Sequence, residues 1–322
     1  MDSEVENEMQ NVIPISSPSS KPDARLWVVC SGKGGVGKTF TSSSLAISMS
    51  KMGHSVVIVD LDLSGANVHT TFGLSPANEN IRHFFEGSKN LSELVLPTSV
   101  PRVSYIQGFW DAWTPIELTT EQIRSLVPEI KTLNADFVIV DLGAGAINGN
   151  LELLRLADEK ILVTSPEPTS IEKTYRFIES FVCHSLKEHS LPETYELMIQ
   201  TLRNHRNDSG GKYFSFRSFL KENSGIQPDY FENMMANPIR LLVNSCRSQA
   251  NNDLGPAMKS VCYKYYDFKI DFLGSIDYDN AVWQCVRNRE PVLIAQPFTP
   301  LAGQFLMTCK QLIDPQSLSA VI

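Results

Sequence analysis

Trp27-Val-Val-Cys-Ser-Gly-Lys-Gly-Gly-Val-Gly-Lys-Thr39 is the stretch that decides how this chain folds. The apolar run up to Cys30 predicts a buried parallel strand. It breaks into a loop with glycines at 32, 34, 35 and 37, and a helix from 38 to about 52 follows. Gly32-x-x-x-x-Gly37-Lys38-Thr39 has the spacing and the strand–loop–helix setting of a phosphate-binding loop. Glycines there let backbone N–H groups converge on phosphate oxygens, and the helix N-terminus adds unpaired donors. The segment Gly32, Lys33, Gly34, Gly35, Val36, Gly37, Lys38, Thr39 and Phe40 is therefore the candidate nucleotide cradle. Lys38 reaches the β- and γ-phosphates, and the Thr39 hydroxyl is a candidate Mg²⁺ ligand. The expected ligands are ATP and Mg²⁺.

Further along, two apolar strands end in acids. Ser55-Val-Val-Ile-Val-Asp60 leads into Asp60-Leu-Asp62-Leu-Ser-Gly65, and Phe137-Val-Ile-Val-Asp141 leads into Leu-Gly-Ala-Gly145. Acids at the C-terminal ends of parallel strands face the crevice where open α/β sheets bind ligands. The architecture expected is α/β: a doubly wound, mostly parallel sheet of about seven strands with helices on both faces. Residues 66–100 read as short helices and loops before a strand at Val103–Gln107. An aromatic loop, Gly108-Phe-Trp-Asp-Ala-Trp113, reads as core or dimer packing. A helix runs from Thr120 to about Leu133, with a kink expected at Pro128. In Pro166-Glu-Pro-Thr-Ser170, Pro168 and the Thr169–Glu172 spacing read as a helix start with a capping box.

Lys33 is not needed for a phosphate cradle. With Lys38 it makes Lys33-Gly-Gly-Val-Gly-Lys38, which resembles the deviant loop of the MinD/ParA family of dimerising ATPases. Asp141-Leu-Gly-Ala-Gly145 and Pro166-Glu-Pro-Thr-Ser170 resemble most the FlhG-like members. The resemblance covers nearly everything from Leu26 to Ile313 apart from an insertion. It implies an ATP-dependent homodimer in which Lys33 crosses to the partner's nucleotide and acts as an arginine finger does. It implies that Asp62 orients the attacking water, that Asp60 supports Mg²⁺ through water, and that Asp141 is a second metal-site carboxylate. Gly143 would approach the γ-phosphate, and Asn244, at the end of the strand Arg240–Ser245, would meet the adenine. Leu142 departs from the small or polar residue usual in the family, which puts the details around Gly143 in question. The function implied is a molecular switch in spatial or numerical regulation. A ParA-like DNA-segregation ATPase and a small-molecule synthetase of the same superfamily are the alternatives.

The rest of the chain bounds these readings. The formal net charge of −8 disfavours broad nucleic-acid binding. The cysteines at 30, 183, 246, 262, 285 and 309 form no C-x-x-C pair, so they read as buried small hydrophobes of a reducing compartment. That disfavours a metal-cluster carrier. Residues 1–24 read as an acidic, disordered leader and 25–322 as the ATPase domain. The polar segment 184–238 reads as a helical insertion that is dispensable for nucleotide binding and a candidate docking element for a protein partner. Its stretch from Leu202 to Lys221 interleaves basic and aromatic residues; a small packed subdomain is the favoured reading there over a nucleic-acid or anionic-lipid contact. A final helix at 301–313 carries Phe305, Leu306, Cys309, Leu312 and Ile313 on one face, yet Lys310 is its single cation. A membrane-surface helix needs several, so this one is expected to pack on the domain and give no strong membrane anchor. A cytoplasmic location follows, and the resemblance adds a polar one.

Overall fold

Side chains alternate along the first strand, β1 (Arg25–Cys30): Leu26, Val28 and Cys30 enter one hydrophobic cluster, Trp27 and Val29 another. A strand buried on both faces must be central, and that alternation sets the two layers of the fold. The computed structural model describes residues 22–63, 65–109, 117–208, 236–248, 253–266 and 268–314. Among them an 8-stranded sheet runs in the order β3-β4-β2-β5-β1-β6-β7-β8. The other strands are β2 (Val56–Leu61), β3 (Val95–Pro97), β4 (Val103–Ile106), β5 (Phe137–Leu142), β6 (Glu159–Thr164), β7 (Ile239–Cys246) and β8 (Ile270–Asp277). All neighbouring pairs are parallel except β3–β4. The doubly wound, mostly parallel sheet is as expected, but the strand number is eight rather than seven. The additional strand is β3, inside the region read as short helices and loops.

One face of the sheet carries α1 (Lys38–Lys51) and α11 (Pro300–Ile313). The other carries α4 (Thr120–Lys131), α5 (Asn148–Leu156), α6 (Pro168–Lys187) and α8 (Leu254–Tyr266). Shorter helices α2 (Val68–Thr71), α3 (Ile81–Phe85), α9 (Asn280–Asn288) and α10 (Val292–Ala295) fill in around them. As expected, α11 packs on the domain. Phe305, Cys309 and Leu312 are buried, the Phe305 ring meets Phe40 of α1 edge-on at 5.3 Å, and Cys309 Sγ donates to the Leu45 carbonyl.

The insertion reading needs correcting at its start. His184, Ser185 and Leu186 are buried within α6, so the helix of the domain extends to Lys187. Beyond it α7 (Pro192–Asp208) sends Met198 fully into the core, with Tyr195, Ile199 and Leu202 packed against it. This part of 184–238 therefore belongs to the domain. The stretch 209–235, most of the basic–aromatic run, lies outside the described residues, as do the leader up to 21 and the tryptophans at 110 and 113. Ala24, assigned to the leader, is buried and donates its N–H to the Lys131 carbonyl. Pro128 lies within α4, which continues to Lys131.

A buried ionic junction ties α4, α5 and α6 together. Glu152, with no exposed side-chain surface, receives Arg124 at 2.8 Å, Arg155 at 2.7 Å and His184 at 3.1 Å. Burial alone would raise its pKa, but hydrogen bonds from Arg155, Arg124 and His184 outweigh that and hold it at about 2.

Candidate nucleotide-binding site

β1 hands over to the loop at Ser31, and α1 opens at Lys38 after Gly37, which is left-handed at φ 93°. A Cβ at Gly37 would lie 2.3 Å from Asn244 Nδ2, and one at Gly32 would lie 2.3 Å from the Lys173 carbonyl oxygen. These two glycines are therefore required by close packing of the loop against β7 and α6. At Gly34 and Gly35 a Cβ would meet nothing within 4 Å, so the loop is open on that side. α1 has no acidic residue in its first turn and no side-chain cap, which leaves its N-terminal N–H groups to an anion.

Asp60 and Asp141 are register partners at the tips of β2 and β5. Asp141 accepts from Thr39 Oγ1 at 2.6 Å and Ser42 Oγ at 2.9 Å. Burial raises its pKa to about 6, opposed by the Thr39 hydrogen bond and the Lys38 charge. Burial and the charge of Asp141 push Asp60 up to about 8. Mg²⁺ is commonly held by one or two carboxylates plus substrate phosphates. The Thr39–Asp141 pair beside an open anion cradle is that donor set, so the residues fit the cation. Asp60 is otherwise engaged: its two oxygens accept from the N–H groups of Asp62 at 3.2 Å and Val68 at 3.0 Å.

Asp62 lies against Gly143, where a Cβ would come within 3.3 Å of Asp62 Oδ1. Leu142 raises no difficulty there, since it is the last residue of β5, pairs with Leu61 and is buried. The 143–145 turn is held by Asn150, whose Nδ2 donates to the carbonyls of Gly143 at 3.2 Å and Gly145 at 3.1 Å. Gly145 N–H also donates to the Ser31 carbonyl, joining that turn to the phosphate loop.

Lys33 does not stand clear of its own subunit. Its Nζ donates to Glu167 Oε2 at 2.5 Å and Thr169 Oγ1 at 3.0 Å. That corrects the capping-box reading of Thr169–Glu172. The cap residue of α6 is Glu167, without a side-chain cap bond, while Thr169 serves Lys33 and Glu172 pairs with Arg176. Asn244 Nδ2 donates to the Val36 carbonyl at 2.8 Å, so in this structure the amide braces the loop. Phe40 anchors α1 against α11. The structure thus gathers Lys38, Thr39, Asp60, Asp62, Asp141 and Gly143 at one sheet edge, with Lys33 and Asn244 flanking the loop. Ser42, Asn150 and Glu167 were not identified from sequence: Ser42 and Glu167 act through contacts far away along the chain, and Asn150 braces the nearby 143–145 turn, a role that no motif marks.

The ParA family model, described as "NUBPL iron-transfer P-loop NTPase", matches residues 24–190. The chain is similar to the flagellum site-determining protein YlxH of Helicobacter pylori, 31% identical over 53% of this chain and 60% of that protein. The septum site-determining protein MinD of Escherichia coli K12 is 28% identical over 53% of this chain and 67% of its own. The antiactivator FleN of Pseudomonas aeruginosa is 34% identical over 48% and 55%. The chain thus spans a little over half to two thirds of these relatives. Among solved structures, Pyrococcus horikoshii MinD complexed with Mg-ADP superposes with a TM-score of 0.60 at 20% identity, covering 93% of this chain and all of that one. Pyrococcus furiosus MinD gives 0.63 at 19% identity over 90% and 98%. At those identities the structural likeness is one of fold. Among the described residues no helix is long and apolar enough to cross a membrane.

Proposed function

Because the chain belongs to the ParA family of P-loop NTPases, we propose that it is an ATP-dependent dimerising ATPase that acts as a molecular switch in spatial or numerical regulation. The observation that carries this reading is the placement of two lysines on one loop. Lys38 is buried at the start of α1, whereas Lys33 lies on the rim, held by an exposed carboxylate and a hydroxyl of α6. A second lysine that serves its own phosphates would have no need of Glu167. One that exchanges between Glu167 and a facing nucleotide couples turnover to assembly.

Lys38 offsets the β/γ-phosphate charge, and Thr39 with Asp141 would hold Mg²⁺. When bound, that ion would supply positive charge against the charge that develops on the phosphate oxygens. Asp62, beside Gly143, orients the attacking water. Asn244 keeps the loop in shape, with its amide oxygen left to the base. The relatives are named for flagellum placement, septum placement and antiactivation, which supports a regulatory role here. A protein partner is part of the proposal, with residues 209–235 as its docking element. The family description's iron transfer is not carried over. The chain has no C-x-x-C pair, and burial raises the pKa of the thiols of Cys30, Cys246, Cys262, Cys285 and Cys309, away from the thiolate a metal needs.

The test is light scattering and ATP turnover on four proteins. Wild type should be monomeric without ATP and dimeric with it. Lys38→Ala should lose nucleotide binding, and Asp62→Ala should bind ATP, stay dimeric and cease turnover. Lys33→Ala should bind ATP near normally but neither dimerise well nor hydrolyse. A monomer that still hydrolyses ATP with Lys33 removed would overturn the dimer-switch reading.

A further inference from the structure

The loop between β2 and α2, which carries Asp62, is tied at both ends to one side chain. The two oxygens of Asp60 take the N–H of Asp62 and the N–H of Val68, the first residue of α2. α2 has four residues, no side-chain cap and only Val68 buried, so it cannot hold its place by helix formation alone. α1 packs against it, and the end of β4 adds a second hold. Gln107, directly after that strand and buried, directs Nε2 to His69 Nδ1 at 3.3 Å and to the Gly108 carbonyl at 3.0 Å. The adjoining Gly108 abuts the same loop: a Cβ there would lie 2.7 Å from the Asp60 carbonyl oxygen and 2.9 Å from Ala66 Cβ.

The chemistry of the pair is specific. For His69 to accept at Nδ1, the ring must be neutral with its proton on Nε2, and Nε2 then donates to Thr70 Oγ1 at 3.3 Å. Burial and the nearby charge of Arg289 lower the pKa of His69, which favours that form. Gln107 is at the same time a poor choice for stability. Its Oε1 is buried with no hydrogen-bond partner among the described residues, and a buried unsatisfied oxygen is destabilising. An apolar side chain of similar size would lift that cost but leave the Gly108 carbonyl and His69 Nδ1 without their donor, so what Gln107 contributes is this pair of contacts.

We propose that Gln107 is a positioning residue for ATP hydrolysis: through His69 it fixes α2, and so holds the Asp62 loop in register with the phosphate site. This rests on the ATPase reading above, in which Asp62 orients water. The polar contacts of Gln107 go to His69 and Gly108 and not to the phosphate loop, Thr39 or Asp141, so its loss should lower turnover and leave nucleotide binding alone.

The experiment compares wild type with Gln107→Leu, Gln107→Met and His69→Phe. Amide hydrogen exchange over residues 68–71, measured without nucleotide, should be accelerated in all three. For the two Gln107 variants ATP affinity should stay within about twofold, and kcat should fall about tenfold, the scale of a modest misplacement. The double variant Gln107→Leu/His69→Phe should be no slower than either single one, as for residues acting through one contact. Unchanged exchange over 68–71, unchanged kcat, or an ATP affinity that falls as far as kcat in Gln107→Leu would each overturn the proposal, the last by making the residue merely structural. A wild-type protein that does not hydrolyse ATP would defeat the ATPase reading, while the exchange measurement would still decide the tether.

Discussion

Replacing Glu167 by alanine should strengthen ATP-dependent dimerisation. If Lys33 must leave Glu167 to reach a facing nucleotide, the cis pair opposes assembly, and the size of that opposition follows from its geometry. The contact is short, 2.5 Å, but exposed: 29% of the Lys33 side chain and 64% of the Glu167 side chain remain accessible. Solvent screening limits such pairs to about 0–1 kcal/mol. Both subunits contribute, so Glu167→Ala should tighten the dimer by at most about 2 kcal/mol, roughly 30-fold in the dissociation constant. Thr169 keeps its bond to Lys33, which argues for the lower half of that range. Sedimentation equilibrium with ATP on an Asp62→Ala background, where hydrolysis does not intervene, gives the constant directly. Repeating it at rising salt should shrink the difference, because an exposed pair is screened within about 8 Å at physiological ionic strength. A dimer that is unchanged or weaker in Glu167→Ala would refute the reasoning, since Lys33 would then not be drawn away from Glu167 on assembly.

Two predictions concern the buried charges. Glu152→Gln should destabilise the protein by about 3 kcal/mol, because it leaves the guanidinium of Arg155 and part of Arg124 without their buried carboxylate; chemical denaturation measures it, and a loss below about 1 kcal/mol would show the junction to be dispensable. Asp60 and Asp141 behave oppositely to an ordinary ion-paired carboxylate. Their pKa values of about 8 and about 6 lie above the usual value of 3.8, so the folded chain holds protons that the unfolded chain has released. Their effect on the nucleotide-free protein is therefore a stability that falls as pH rises from about 4 through 6 to 8. Mg-ATP, which wants Asp141 ionised, should release protons on binding near pH 6. Calorimetry in buffers of different ionisation enthalpy reads that release, and net proton uptake would reverse the assignment.

What could be read from the sequence had a local cause. β1, β2 and β5 are continuous apolar runs, each leading into glycines or acids of the kind a ligand-facing strand end uses. β3 gave no such signal. Three residues are too short a run to stand out, and Pro97 is tolerated only because the strand is short and borders the sheet. The Thr169–Glu172 spacing did fit a capping box, but Lys33, 136 residues away, competes for the same hydroxyl. Asn150 and Glu152 sit in a helix whose sequence marks an amphipathic face and nothing more. Their roles come from Gly143, Gly145, Arg124 and His184, brought in by other elements.

The same difference would separate binding from the proposed switching in this site. Everything that would grip phosphate and Mg²⁺ lies on β1, α1 and β5, whose packing is fixed by hydrophobic pattern, and that is why the cradle could be located from sequence. What would make the grip conditional is a set of polar contacts that hydrophobic pattern does not fix, of which only the Lys33–Glu167 pair joins elements distant in sequence. Lys33 is held by Glu167 of the α6 cap, the Asp62 loop by Asp60 and Val68, and the 143–145 turn by Asn150. Such contacts are individually worth about 1 kcal/mol, small enough to exchange when a ligand or a second subunit arrives. A switch needs that range: bonds much stronger would lock one state, and apolar packing in their place would leave no alternative partner to move to.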